Sequence, residues 1–596
     1  MPCDPMRRHA CWVWHGMIVP YGRRRLALIG ALVWLGSIAA FDDAKAQLGA
    51  GQLAPPSSPI ERAVPQPQPQ AVPPLILTPA LPKPGAPAGP IVNVHTVKVE
   101  GATVFSATEL AEFYRGIVGK PVPTSEIRAV IARIQAKYRE DGYFLTLVAG
   151  TLEPTNGAMT LRIRVIEGFI SSVKLDGDIG PAGVLVYRFL AKLTTIRPAN
   201  IRDVERALLL VEDVPGISVR AVLRPGTGEP GAVDMIAQVG RKPFDGLVLY
   251  DNRASQFAGP SELLVGAYAN SFTSLGERTE VLVYDTPFNK EQLFGQAALE
   301  GFIGGSGLKL RGYVGYGPSE PGGTLAAIGY RARVLLAGLS STYPVIRTRL
   351  VTLRLTGAFD ISQSDVDAFG TGGQLQPQSS EQLRILRFGE RLNVQDDTAG
   401  LGLAGANLFA LTLHKGLTGL GASRNDDPLS PRLGSRVDFF KLSGELTRVQ
   451  DLFHISDYGF ALKLSVGGQY TADILPPSEK YFLGGTRYGR GFFSGEVTGD
   501  RAFGSTSELQ INHRINWPAP IGLQYYVFYD AGLAWNLAPG DIDQKLESAG
   551  AGVRAALTPQ ISVELEDTQR FTRHPTGQNV NREGANVIFV TVTANF

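Results

Sequence analysis

Few residues in this 596-residue chain could do covalent chemistry. The two cysteines, Cys3 and Cys11, both stand near the start. His95, His414, His454, His513 and His574 form no pair spaced for a metal. Spacing suggests no Ser, His and Asp set. Gly550-Ala-Gly552-Val-Arg-Ala555 superficially matches a dinucleotide fingerprint, but it falls in a strand pattern and lacks the helix that fingerprint requires. The expectation is a chain without metal or cofactor, and not an enzyme. What remains are charges that hold and orient. Arg490 lies in a glycine-rich segment with Gly484, Gly485, Gly491 and Phe492. Asp530 lies in an alternating segment where Leu523, Tyr525, Val527 and Tyr529 make an apolar face. Gln524, Tyr526, Phe528 and Asp530 make the other face.

These residues need a scaffold, and composition bounds it. A soft prior of about 150 residues per domain predicts about four domains. Forty-four per cent apolar residues suffice for a core, and nineteen per cent charged is low against a typical ~25 per cent. A net charge of +2 does not favour a nucleic-acid partner. Arg23 to Arg25, the apolar run Leu26–Ala40 and Ala44-Lys-Ala46 read as a signal peptide over 1–46, cleaved after Ala46. An uncleaved anchor is the alternative, and residues before Met17 read as an overlong start. Cleavage removes both cysteines, which suits an oxidising compartment. Residues 47–92 read as a proline-rich linker, since 13 of the 40 prolines fall in 54–90. Gly49, Gly51, Pro55, Pro56 and Pro59 make 47–63 a poor helix.

Residues 93–168 predict a small α+β unit. Val94 to Val99 reads as a strand, and Ser106-Ala-Thr-Glu109 has the form of a capping box. Thr124 or Ser125 is expected to cap a second helix, with Ile127, Ile131, Ile134 and Tyr138 on one face. Phe144 to Val148 reads as a strand, and Asn156-Gly157 as a hairpin turn. Leu161, Ile163 and Val165 alternate in the returning strand. Residues 169–240 repeat this β-α-α-β-β order.

From 241 to 596 no convincing helical stripe of any length remains. Segments of about ten residues alternate, as in Val351, Leu353 and Leu355 against Thr352, Arg354 and Thr356. One apolar and one charged face, repeated over this length, predicts a transmembrane β-barrel. Sixteen segments are counted. The longest connections, 359–380, 413–435 and 471–503, follow the seventh, ninth and eleventh. Most connections after even segments are short; 449–457 is moderate. Long connections on one side fit an odd-strand, extracellular assignment. Ile588, Val590, Val592, Ala594 and Phe596 alternate to a terminal aromatic. Phe596 reads as a barrel-assembly signal, which implies the assembly machinery as a partner during biogenesis.

Two β-α-α-β-β units before a sixteen-stranded barrel resemble the Omp85 superfamily, with the units as POTRA domains. Two such units after a proline-rich segment resemble the two-partner secretion transporters, the TpsB or haemolysin and filamentous-haemagglutinin secretion/activation proteins. The resemblance covers about 93–596. Its sharpest motif is Tyr481-Phe-Leu-Gly-Gly-Thr-Arg-Tyr-Gly-Arg490-Gly491-Phe492. The family pattern is Val-Arg-Gly-Tyr/Phe; Gly489 stands in place of the valine. The resemblance implies that the loop 471–503 points inward and that Arg490 is received by Asp530. A guanidinium fork on a carboxylate would fix that loop. It also implies a plug helix, which 47–63 matches less well than a linker.

The implied function is export of a large β-rich exoprotein, captured unfolded by the POTRA units through its N-terminal secretion domain. The implied place is the outer membrane of a Gram-negative bacterium, in contact with outer-membrane lipid, with the POTRA units periplasmic. The alternative is an Omp85-type barrel assembly factor, disfavoured by space for only two units. An outer-membrane enzyme or receptor lacks a catalytic constellation, and a passive porin leaves the POTRA units unexplained.

Overall fold

The computed structural model describes residues 59–63, 89–155, 158–255, 257–289, 291–370, 372–397, 403–516, 520–572 and 585–596. The signal peptide, most of the proline-rich linker, the Asn156-Gly157 turn and His574 lie outside the described residues.

A single turn of helix, α1 (Pro59–Ala63), precedes the first unit. That unit runs β1 (Ile91–Glu100), α2 (Ala107–Tyr114), β2 (Pro121–Pro123), α3 (Thr124–Glu140), β3 (Leu147–Thr155) and β4 (Ala158–Ile166). Its sheet order is β2-β1-β4-β3, with β1 and β4 parallel. Ser106 and Glu109 close a reciprocal capping box at α2, which satisfies helix-end amides that would otherwise lack partners. Helix α3 starts at Thr124, but Pro123 is its N-cap and no side chain caps it. Ile127, Val130, Ile134 and Tyr138 form its buried stripe.

Phe144 and Leu145 are not in a strand. The chain turns there, and both side chains pack on the core of the second unit. Short apolar runs look like strands in sequence, and only tertiary packing separates the two outcomes. The second unit runs β5 (Phe169–Asp176), α4 (Gly183–Ala191), α5 (Ile201–Glu212), β6 (Ile217–Pro225) and β7 (Ala232–Arg241), in sheet order β5-β7-β6.

The rest is a closed antiparallel barrel of sixteen strands, as the alternation predicts. Its first eight are β8 (Phe244–Asp251), β9 (Glu262–Asn270), β10 (Arg278–Asp285), β11 (Leu293–Ile303), β12 (Leu308–Ser319), β13 (Arg331–Arg347), β14 (Val351–Phe369) and β15 (Leu375–Asp397). Then come β16 (Ala404–Gly416), β17 (Phe440–Ile455) and β18 (Tyr458–Thr471). A long connection carries a small hairpin, β19 (Tyr481–Leu483) and β20 (Val497–Gly499). The barrel resumes with β21 (Arg501–Asn516), β22 (Pro520–Trp535), β23 (Gln544–Ala556), β24 (Ile561–Arg570) and β25 (Asn586–Asn595). Strand β25 pairs with β8 to close the ring.

Two expected connections are shorter than sequence suggests. The stretch 359–380 is mostly strand, because β14 and β15 pair from Val351↔Val394 out to Phe369↔Leu375. Its outward positions become polar at Gln363, Asp365 and Asp367, so the apolar alternation that marks a lipid-facing strand ends before the ladder does. Likewise β17 continues to Ile455, leaving only 456–457 as the turn of 449–457.

The second unit is tied to the barrel rim. Arg347 forks Asp213 with two bonds of 2.9 Å. Arg206 donates to the Pro344 carbonyl at 2.9 Å, and Glu205 accepts from the Arg349 amide at 3.0 Å. Phe302, at the end of β11, lies within the apolar core of the unit and meets Phe189 edge-on at 5.6 Å.

In the first unit, Glu167 gathers the loop after β1. It accepts from the amides of Thr103 at 2.8 Å and Val104 at 3.0 Å, from the Tyr138 hydroxyl at 2.8 Å, and from the Thr103 hydroxyl. Burial pushes this carboxyl up, but the hydrogen bonds from Thr103, Val104 and Tyr138 outweigh it and hold it below its usual range. A carboxyl depressed in the folded state adds stability above its unfolded pKa of about 4.3 and loses it as pH falls through the lower folded value. Glu167→Ala is therefore expected to speed amide hydrogen exchange at Thr103 and Val104 at pH 7. The parent loop should stay protected at pH 7 and lose this contribution only well below pH 4.3, by hydrogen-exchange mass spectrometry. Equal protection in the variant at pH 7 would remove Glu167 from this role.

Candidate functional site inside the barrel

Strand parity sets which side chains line the lumen. In β22, Tyr526, Phe528 and Asp530 are buried at 3, 5 and 0 % exposure, while Tyr525, Val527 and Tyr529 face outward and are exposed. The same alternation turns Glu508 of β21 and Glu566 of β24 inward, where both are fully buried. The lumen wall thus gathers carboxylates from neighbouring strands, and a cation must answer them.

The connection 472–500 supplies it. Its small hairpin projects a tip, 484–496, against this wall. Gly484 and Gly485 both have positive φ, and their amides donate to the carbonyls of Tyr488 at 2.7 Å and Phe492 at 2.9 Å. The tip is packed by Leu483, Tyr488, Phe492 and Val497 against Ala502, Ala534 and Leu546. Phe492 is completely buried there.

Arg490 enters the carboxylate cluster. Its Nε and Nη2 fork Asp530 at 3.1 Å each, and its own amide donates to the same carboxylate at 2.8 Å. The Gly489 amide adds another bond at 3.1 Å. Nη1 bonds Glu508 and lies 3.8 Å from Glu566. The guanidinium also stacks 3.6 Å from the Phe528 ring centre, where the ring face favours a cation. Two further arginines complete the balance. Arg554 bonds Glu508 at 2.7 Å and Glu564 at 3.0 Å, and Arg253 bonds Glu566 at 2.9 Å. Arg253 also donates to the Arg490 carbonyl at 3.3 Å, and Arg570 to that of Gly491.

Two glycines here are demanded by space. Gly489 has φ +88°, and a Cβ there would lie 2.4 Å from Leu546. A valine, the residue of the resembled pattern, would be strained in this backbone. A Cβ on Gly491 would meet Thr568 and Ser548 at 2.7 and 2.8 Å, so the tip reaches the wall only without a side chain there.

Sequence reasoning singled out Arg490 and Asp530 but missed Glu508, Arg554 and Arg253. In 560–570 Glu564 and Glu566 alternate with Ile561, Val563 and Leu565, and the same parity applied to 501–516 marks Glu508. It also missed a second anchor. Glu479, fully inside, takes Arg387 at 3.0 Å and Lys441 at 2.7 Å, which holds the ascending limb to β15 and β17.

The opposite wall differs. Leu249, Leu264, Leu282, Tyr284, Phe294, Val334 and Leu336, from β8 to β13, form an apolar inner strip. Ile60 and Ala63 of α1 pack on it. The described turn sits inside the barrel, although the prolines and glycines of 47–63 predict a poor helix. Phe596 lies at the seam end, exposed, with its carbonyl bonded to Lys242 at 2.6 Å and its amide to the Gly246 carbonyl at 3.0 Å. Among the described residues no cluster of three or more His, Cys, Asp or Glu side chains could hold a metal.

Residues 398–555 match the family described as haemolysin secretion/activation protein ShlB/FhaC/HecB, and residues 92–168 match the POTRA domain, ShlB-type. The heme/hemopexin transporter protein HuxB of Haemophilus influenzae is 23 % identical over 462 residues, covering 75 % of this chain and 77 % of that protein. The outer membrane transporter CdiB of Dickeya dadantii is 23 % identical over 493 residues, covering 80 and 83 %. Among solved structures, CdiB from Escherichia coli superposes with a TM-score of 0.68 at 17 % identity, covering 92 % of this chain and 95 % of that one.

Removing the cation should unsettle the seat more than shortening it. Arg490→Met leaves Asp530 buried without its fork, a loss of about 3–5 kcal/mol for breaking a buried pair. The expected outcome is a barrel that unfolds at lower denaturant concentration in detergent, with the tip 484–496 cut faster by added protease. Asp530→Asn, which keeps the acceptor but not the charge, should lie between. A tip equally resistant in both variants would detach the ion pair from loop seating.

Proposed function

We propose that this chain, a member of the haemolysin secretion/activation family of TpsB transporters within the Omp85 superfamily, exports a large β-rich partner protein from the periplasm to the cell surface. It is an outer-membrane β-barrel protein with its POTRA domains in the periplasm. The observation that carries the reading is the combination of a closed barrel, an inward loop seated on a charged lumen wall, and a second small unit tied to the near rim.

Each part has a physical task. The first unit leaves β3 as an outer strand of its sheet, and a free edge can take an extended segment by main-chain hydrogen bonding. An unfolded N-terminal secretion domain of the cargo offers such segments. The second unit stands on the rim, which keeps the captured chain near the lumen. The charged wall of β21 to β24 suits a hydrated polypeptide. Arg490 is the residue that parks loop 472–500 in the path, and Asp530 its receiver. Gly484, Gly485 and Gly491 let the tip fit, and Phe492 anchors it. Phe596 is read as the signal that presents the chain to the barrel assembly machinery, and the outward apolar faces meet outer-membrane lipid. The chain acts as a conduit and not as a catalyst, with folding of the cargo outside giving direction.

Secretion of the neighbouring large exoprotein, measured in cells with the intact gene or Arg490→Ala, tests this. Barrel abundance in the outer membrane is quantified alongside. Secretion should depend on the intact gene and fall at least several-fold in the variant at equal abundance. Secretion independent of the gene would refute export of that cargo; secretion unchanged by the substitution would refute an essential Arg490–Asp530 clamp.

A further inference from the structure

A second buried ion cluster lies at the opposite end of the barrel from the POTRA units, and the Arg490 seat does not use it. Arg432 stands in the connection 417–439 between β16 and β17. Its side chain is 3 % exposed. Nη1 and Nη2 fork Asp500, in connection 472–500, at 2.6 and 2.8 Å. Nε and Nη2 reach Asp541, in connection 536–543, at 3.0 and 2.8 Å. Nη1 also donates to the Leu475 carbonyl at 2.9 Å. Asp500 in turn accepts from the amides of Leu475 at 2.9 Å and Leu537 at 2.7 Å.

One guanidinium therefore joins three successive connections, which arise from six consecutive strands of the sixteen, β16 to β23. Asp500 lies on the lumen side of the rim, since lumenal Gln469 donates to its carbonyl at 3.0 Å and to that of Glu479 at 3.2 Å. An apolar layer of Val437, Phe439 and Leu475 packs two of these connections, 417–439 and 472–500, on Leu383 and Ile385 of β15. Only a planar group with several fixed donors can satisfy two carboxylates and a carbonyl at once; an ammonium is a point charge.

We propose that Arg432 is a positioning residue for transport, which latches the exit of the barrel by holding connections 417–439, 472–500 and 536–543 together on its lumen side. Release is cooperative. Losing one carboxylate leaves the charge buried on the other, so the three connections part together once water reaches all of them. The latch also acts on the inward loop, because Asp500 is the last residue of the connection that carries Arg490. The word exit rests on the export reading; the closure itself does not.

The test is ion current through the purified full-length protein in planar lipid bilayers, which needs no cargo. Gel mobility before and after heating shows that each variant is a folded barrel. Arg432→Ala is expected to raise time-averaged conductance at least several-fold over the parent. Arg432→Lys should restore part of the closure, a rescue that general loosening would not give. Asp541→Asn, which keeps the fork on Asp500 but weakens the third connection, should raise conductance less than Arg432→Ala. Parental conductance in folded Arg432→Ala overturns the latch. Should Arg432→Ala fail to fold, Asp541→Asn is decisive alone, and parental conductance there overturns it. Raised conductance in a chain that exports nothing would leave the latch standing and remove the export reading.

Discussion

A charged arginine inside a closed barrel must be neutralised where it sits, and this requirement organises the centre of the molecule. Arg490 is almost fully buried, and a lone charge there would suffer a desolvation penalty that no packing could offset. Asp530, Glu508 and Glu566 have the converse need. Their strands, β21, β22 and β24, fold with anions on the inner face, and Arg490, Arg554 and Arg253 answer them. The loop tip is therefore part of the wall's electrostatic balance. It can leave only if water takes its place on the same carboxylates, which couples loop movement to hydration of the lumen.

The lumen has two unlike walls, and each holds a different occupant. The charged wall of β21 to β24 holds the arginine loop. The apolar strip of β8 to β13 holds Ile60 and Ala63 of the N-terminal segment. Apolar burial is non-directional and tolerates a single helical turn, whereas the ionic seat needs fork geometry and glycines at fixed positions. That difference explains why the loop carries a sharp sequence motif and the 59–63 segment carries none.

Much of this was legible in the sequence because its signals are local. Alternation with period two marks the strands and their faces, and it places Asp530 on the polar side. The Gly484 to Phe492 motif carried its own context. The pieces that escaped depend on contacts distant in sequence. Phe144 and Leu145 look like strand residues until the second unit offers them a core. The outer part of β14 puts Gln363, Asp365 and Asp367 on its outward face, so it reads as loop. Arg432 and Asp541 sit in connections without periodicity, and their pairing with Asp500 is set by loop paths that no local pattern encodes.

The fixed and movable parts follow from where the ion pairs fall. Asp213, Glu205 and Arg206 bind the second unit to the near rim at several points, and Phe302 of the barrel completes its core. Unit and barrel wall then behave as one body, and a large swing of that unit would expose apolar surface. Connection 472–500 is different. It is held at Glu479, at Arg490 and at Asp500, three discrete polar anchors separated by turns. Polar anchors can exchange partners with water, and the apolar contact of its tip is a small patch, Leu483, Tyr488, Phe492 and Val497 on Ala502, Ala534 and Leu546. If export proceeds as proposed, passage of the cargo requires these contacts in the lumen and at the far rim to open, while the contacts of the second unit with the near rim can stay in place.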